Sequence, residues 1–243
     1  METLQILRKH IDNAENFLDM EIFIQILNNV EKQLADNEGS ERLVRCIDLE
    51  GFDACGKSTV ANELVQQLNE RGQTSRLLNS PPEKLRRFRS YFDEQDELVR
   101  RAYYFLGNLI TSFDLKTQSD SIITILDRYW PSTIAYQIAG KHNPETIDEI
   151  QLSWPKCLAE PILIAYITVD EDERCRRLNK RSATIAVTDE EKQLAEQTEF
   201  RRQLDFIYRH KIPSSHLRII DGTPATETVV NNILDLYEQS IEN

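Results

Sequence analysis

The 243-residue sequence predicts an α/β fold, a central parallel sheet covered by helices on both sides. Three observations carry this reading. Five strand-like stretches occur, LVRCIDLE, TSRLLNS, SIITIL, ILIAYITV and LRIID, and the longer ones are apolar on neighbouring positions, as strands buried on both faces are. Amphipathic stretches of helical period, such as TVANELVQQLNERG and ATETVVNNILDLYEQ, alternate with them. A glycine loop, GFDACGKST at 51–59, joins the first strand to the first of these helices.

In chain order, Leu4, Leu7, Ile11, Ala14, Leu18, Ile22, Ile26, Val30 and Leu34 recur every three or four residues and predict one long helix or two shorter ones. NEGS at 37–40 breaks the pattern, so residues 1–40 read as an N-terminal helical extension and 41–243 as the main domain. Two uses fit the apolar face of the extension: packing on the domain, or pairing two copies into a homodimer. From residue 43 follow the first strand, the glycine loop, its helix and a second strand. A polar and aromatic helix covers about 94–118, then come SIITILDR, ILIAYITV (162–169), a charged region (170–211), LRIID (217–221) and a last amphipathic helix.

Composition narrows the function classes. The formal net charge of −12 argues against a general nucleic-acid binder, which needs a basic footprint. No run of about 18 apolar residues is present, so no membrane span is expected. Cys46, Cys55, Cys157 and Cys175 form no CxxC pair and no metal-ligand spacing, which points to a reducing compartment. The first 21 residues carry Glu2, Asp12, Glu15, Asp19 and Glu21, a poor match to a transit peptide, and the cytoplasm is the expected location.

Gly51-Phe52-Asp53-Ala54-Cys55-Gly56-Lys57-Ser58 matches G-x-x-x-x-G-K-[ST] with a strand before it and a helix after it, the pattern of a P-loop NTPase three-layer fold. Glycine permits torsions and close approaches that a Cβ blocks, so consecutive N–H groups can point inward at phosphate oxygens. The helix that starts nearby adds its positive end. The loop, Gly51 through Thr59, is therefore the expected ATP site. Lys57 is expected to reach the β- and γ-phosphates, and the Ser58 hydroxyl to ligate Mg²⁺. Asp127 follows SIITIL and should emerge at the carboxyl edge of the sheet, as a second ligand of Mg²⁺ or of its bound water.

With these residues in view, IDLEGFDACGKST and ILDRYWPS resemble the thymidylate kinase family of nucleoside monophosphate kinases. The wider runs LLNSPPEKLRRFRSYFDE, RRAYYFLGN, DRYWPSTIAY and ITVDEDERCRRL are similar to its mitochondrial-type UMP–CMP kinase branch, over about residues 43–243, a resemblance that keeps mitochondria as the alternative location although no transit peptide is visible. The resemblance implies a catalytic contact of Asp53 with the acceptor nucleotide, a grip of Arg128 on the acceptor monophosphate, and a further phosphate contact from Arg89. It implies stacking of Phe105 on the pyrimidine, for which core packing beside Tyr103 and Tyr104 is the competing use, with Asn108 on the same helix and Tyr136 lining the pocket. Lys84, Arg86 and Arg87 read as solvated neighbours of Arg89.

Two departures from the family pattern matter. Leu109 stands where thymidylate kinases have a base-reading arginine, which shifts the expectation from dTMP toward UMP, CMP or their deoxy forms. The loop carries no arginine at Ala54 or Cys55, so charge neutralisation must come from elsewhere. Arg174, Arg177 and Arg181 fall on one helical face of DERCRRLNKRS, with Arg201 and Arg202 on a return helix, and predict a lid at about 174–200. Arg177 and Arg181 are the catalytic candidates there; a surface ion pair is the alternative for any one of them. Cys55 beside the helix start reads as a small loop filler, with oxidation sensitivity as its other use.

The expected function is transfer of the ATP γ-phosphoryl group to a pyrimidine nucleoside monophosphate, with Mg²⁺. Its rivals are a nucleoside kinase, which has no need of acceptor-phosphate arginines; a GTPase, whose N-K-x-D motif the sequence lacks; and a nucleotide-binding regulator with little or no turnover.

Overall fold

The apolar stretches become a five-stranded parallel sheet in the order β2-β3-β1-β4-β5, made of β1 (Leu43–Glu50), β2 (Ser75–Asn79), β3 (Ile123–Asp127), β4 (Glu160–Thr168) and β5 (Leu217–Asp221). The protein is seen here in a computed structural model that describes residues 2–14, 17–36, 43–141, 144–182, 198–213 and 215–242. Register puts Leu49 of β1 beside Asp127 of β3, and Thr168 of β4 beside Asp221 of β5, so these strands end together at one edge.

The chain divides into two compact units, one of residues 45–77, 120–154 and 161–243, the other of 1–44, 78–119 and 155–160. The first holds most of the sheet. Side chains alternate across a strand, and β4 shows both consequences. Leu163, Ala165 and Ile167 pack into a core with Val60, Ala61 and Leu64 of α3 (Lys57–Glu70) and Val230, Ile233 and Leu234 of α11 (Thr226–Glu242). Tyr166 joins a separate core with Ala135 and Ile138 of α7 (Trp130–Lys141) and Leu204, Ile207 and Tyr208 of α10 (Thr198–His210). Three layers result. Helix α8 (Pro144–Ile147) follows α7, and α9 (Glu171–Ser182) follows β4. Asp170 caps α9 by accepting from the Glu173 N–H at 2.8 Å, and Glu171, Asp172 and Glu173 complement its dipole.

The second unit is helical: α1 (Glu2–Asp12), α2 (Met20–Asp36), α4 (Glu83–Arg86), α5 (Arg89–Asp93) and α6 (Glu97–Thr117). Asp96 caps α6, accepting from the Val99 N–H at 3.1 Å. The apolar face of the extension is covered within the chain, since α1 and α2 pack on each other and on α6. The predicted face does not run straight through, however. Asp19, at φ 59°, restarts the helix, so that Phe23, Leu27 and Val30 are buried while Leu18 is 82% and Ile22 40% exposed. Phe23 meets Phe17, Phe88 and Phe92 at ring-centroid distances of 4.9 to 5.4 Å, the centre of an aromatic cluster that also takes in Tyr91 and Tyr103. Among the described residues no helix is long and apolar enough to cross a membrane.

Candidate active site

At the carboxyl end of β1 the chain turns sharply into the glycine loop. Gly51 has φ 142°, and a Cβ there would lie 2.3 Å from the Ile167 carbonyl oxygen, so only glycine lets β1 pass β4 this closely. Gly56, at φ 101°, precedes α3 and offers no side-chain cap. The first N–H groups of that helix are left facing the loop, the arrangement that receives anions. Ala54 also adopts a left-handed conformation, at φ 66°, in a loop where the sequence marks only the glycines.

Lys57 is 6% exposed and lies back across the loop, its Nζ donating to the carbonyls of Gly51 at 3.0 Å and Phe52 at 2.8 Å. Ser58 Oγ donates to Asp127 Oδ2 at 2.7 Å, which joins the start of α3 to the end of β3. A hydroxyl and a carboxylate side by side are hard oxygen donors. They suit Mg²⁺, which takes one or two protein ligands and fills its octahedron with water and phosphate. Thr59 is exposed one residue further on.

Beyond Asp127, Arg128 continues the sheet ladder with its N–H on the Leu49 carbonyl at 3.1 Å, yet its φ is +73°. That conformation costs a non-glycine residue about 1–2 kcal/mol. The turn is held by a side chain the sequence reading missed. Glu50 is fully buried; its Oε1 accepts from the Tyr129 N–H at 3.0 Å and the Ser132 N–H at 3.1 Å, and its Oε2 accepts from the Ser132 hydroxyl and from Tyr208 at 2.9 Å. Arg128 then donates from Nη2 to Asp53 Oδ1 at 2.9 Å and from Nη1 to Ser132 Oγ at 3.1 Å, with its guanidinium 6.0 Å from the Tyr136 ring centre. Burial opposes the Arg128 charge, but Asp53, Tyr136, Tyr208 and Glu50 outweigh it and hold its pKa well above the usual arginine value.

Asp48, also on β1, has no hydrogen-bond partner among the described residues for either carboxyl oxygen. Burial, followed by repulsion from Glu50 and Asp127, pushes its pKa well above the ordinary 3.8. Burial raises Glu50 too, but Arg128 and the donors from Ser132, Tyr129 and Tyr208 oppose that. Of the two carboxyls, Asp48 therefore holds its proton to the higher pH. The folded state binds the Asp48 proton more tightly than the unfolded chain, so its presence lowers stability progressively as pH rises from about 4. The Asp48→Asn protein should gain stability relative to the parent between pH 4.5 and 7, with a slope of at most about 1.4 kcal/mol per pH unit, read from urea denaturation at several pH values.

The charged region pairs largely with itself. Arg174, 1% exposed, makes two 2.9 Å bonds to Glu171. Arg177 bonds Glu173 at 2.6 Å, the Cys55 carbonyl at 3.1 Å and the Gly222 carbonyl at 2.9 Å, which ties α9 to the glycine loop. Arg201 lies 3.2 Å from Glu171, and Arg202, exposed, 3.8 Å from Glu199. The Arg181 side chain and the lid residues 183–197 lie outside the described residues. Tyr136 is half-buried and meets Phe200 edge-on at 6.0 Å.

The remaining candidates belong to the helical unit. Arg89 Nε donates to Asp93 Oδ2 at 3.2 Å, and Tyr104 donates to the other oxygen at 2.7 Å. Phe105 is half-buried; Asn108 is fully buried, with its Oδ1 3.5 Å from Ser80 Oγ. Leu109 is buried as well.

A sequence model of the family described as thymidylate kinase matches residues 49–233, from the end of β1 into α11. The chain belongs to the thymidylate kinase family. Among its relatives, human mitochondrial UMP-CMP kinase 2 is 34% identical over 201 residues, covering 80% of this chain and 42% of the human protein. The thymidylate kinase of Leptospira borgpetersenii is 29% identical over 198 residues, covering 77% of this chain and 90% of its own. The chain thus spans less than half the length of the human family member. Thymidylate kinase from Candida albicans shares the fold at a TM-score of 0.58 and 20% identity, over 82% of this chain and 93% of that one. Deoxyadenosine kinase from M. mycoides does so at 0.52 and 16%, over 78% and 97%.

Proposed function

We propose that the chain is an ATP-dependent pyrimidine nucleoside monophosphate kinase, acting on UMP, CMP or their deoxy forms ahead of dTMP. The observation that carries the reading is Arg128, a guanidinium fixed at the carboxyl edge of the sheet against Asp53 of the glycine loop. A second cation beside the ATP loop serves an acceptor that is itself an anion. A nucleoside kinase attacks with a neutral hydroxyl and has no such need. The four donors already on Glu50 also leave it unsuited to take a proton from one.

In this reading Lys57 leaves the Gly51 and Phe52 carbonyls to meet the β- and γ-phosphates, while the N–H groups at the start of α3 cradle them. Ser58 and Asp127 would hold Mg²⁺, which when bound neutralises charge on the phosphate oxygens. Arg128 grips the acceptor phosphate bidentately, and Asp53 orients both. Arg177 adds positive charge at the rim of the loop, and the resemblance assigns the same task to Arg181. Family resemblance assigns base stacking to Phe105, a second phosphate contact to Arg89, and pocket roles to Asn108 and Tyr136. Leu109, lacking a charged donor, supports uracil or cytosine over thymine. No covalent enzyme intermediate is needed. The described cysteines are unbridged, in keeping with a reducing, cytoplasmic setting.

A coupled ADP-release assay across UMP, CMP, dUMP, dCMP, dTMP and uridine tests the function. Turnover is expected with monophosphates and none with uridine; uridine turnover alone, or ATP binding without turnover on any of them, overturns it. Asp127→Asn should raise the Mg²⁺ concentration for half-maximal rate by about tenfold or more, read from Mg²⁺ titrations at saturating ATP.

A further inference from the structure

We infer that Glu50 is a positioning residue for the acceptor-phosphate arginine, and that Tyr208 ties the same device to α10. Four donors converge on this one buried carboxylate, two of them backbone N–H groups of the turn that follows Arg128. They fix residues 129 and 132, and with them the left-handed backbone at Arg128. Ser132 closes the circuit, since its hydroxyl donates to Glu50 Oε2 while accepting from Arg128 Nη1 at 3.1 Å. Glu50 thereby aims the guanidinium at Asp53 without touching the acceptor.

Tyr208 supplies the connection to α10. Its hydroxyl lies 2.9 Å from Glu50 Oε2 and 3.0 Å from Ser132 Oγ, and its ring stacks on Tyr166 of β4 at 4.4 Å. The ring packing holds α10 against the sheet, and the hydroxyl reports the placement of that helix to the Arg128 turn. Charge matters as well as shape, because hydrogen bonds to an ionised acceptor are about twice as strong as neutral ones. An amide at position 50 keeps the volume and loses that advantage.

The role of Glu50 rests on the acceptor reading given above for Arg128, and the test separates the two. The chain's two tryptophans, Trp130 and Trp154, sit at this turn with ring centres 4.8 Å apart, so their fluorescence follows it without any substrate. Glu50→Gln should increase acrylamide quenching and raise the KM for UMP and CMP by about tenfold, leaving the KM for ATP within about twofold. Tyr208→Phe, which removes one donor and keeps the ring stack, should raise the same KM by about two- to threefold. An unchanged acceptor KM in Glu50→Gln overturns the inference, as does an equal rise of both KM values. If the parent protein turns over no monophosphate, the function proposed for the chain fails. Quenching then decides for Glu50: an increase supports it as the residue that fixes the turn, and parental quenching overturns it.

Discussion

Lys57→Ala should reduce turnover by about 10³-fold or more while the protein stays folded. The lysine ammonium already lies 2.8 to 3.0 Å from two loop carbonyls. Those bonds are exchangeable, because triphosphate oxygens outcompete neutral carbonyls for an ammonium. Alanine there leaves α3 intact, since alanine is the best helix former and the Lys57 head group takes no part in the sheet core. The loss in the empty protein is two hydrogen bonds to carbonyls, about 1–2 kcal/mol in all. The loss in the reaction is larger, since part of the charge developing between donor and acceptor phosphates would go unscreened. Coupled ADP release gives the rate, and urea denaturation shows that the fold survives. Undiminished turnover would remove the glycine loop from the chemistry.

Much of this site is readable from local sequence, and the unread part is non-local for a definite reason. LVRCIDLE and LRIID coincide with β1 and β5, because apolar runs bounded by turn residues have little else to become. The glycine loop and Asp127 are equally legible: one is a contiguous motif, the other the polar residue that ends an apolar strand. Glu50 also ends its strand on an acid, a signal of the same kind, but its partners lie 79, 82 and 158 positions away and nothing local points to them. Tyr208 carries no sequence signal at all. In α9 the helical spacing of the arginines is visible, whereas their engagement is not. Glu171 and Glu173, three or four residues upstream, take up Arg174 and one edge of Arg177. The N-terminal face fails differently: a periodic pattern cannot report a break in phase, and Asp19 introduces one.

Arg128→Ala should act on the acceptor alone. Its KM for UMP and CMP should rise about 10²-fold, because a bidentate, partly desolvated phosphate contact contributes about 2–3 kcal/mol. The KM for ATP should stay near the parental value, since Lys57 and the start of α3 are untouched. A stability cost accompanies the change. Alanine is no more at ease than arginine at φ +73°, so the turn gains no relief, while Asp53 and the buried Glu50 lose their counter-charge. That loss should lower stability by about 1–3 kcal/mol, and thermal melts separate it from the kinetic effect. Arg128→Lys sharpens the test. A lysine restores charge beside Asp53 but not the planar fork, so it should recover most of the stability and little of the acceptor affinity. Recovery of both would reduce Arg128 to a point charge; an acceptor KM unmoved in Arg128→Ala would show that the acceptor anion is held elsewhere, and the kinase reading would lose the residue on which it stands.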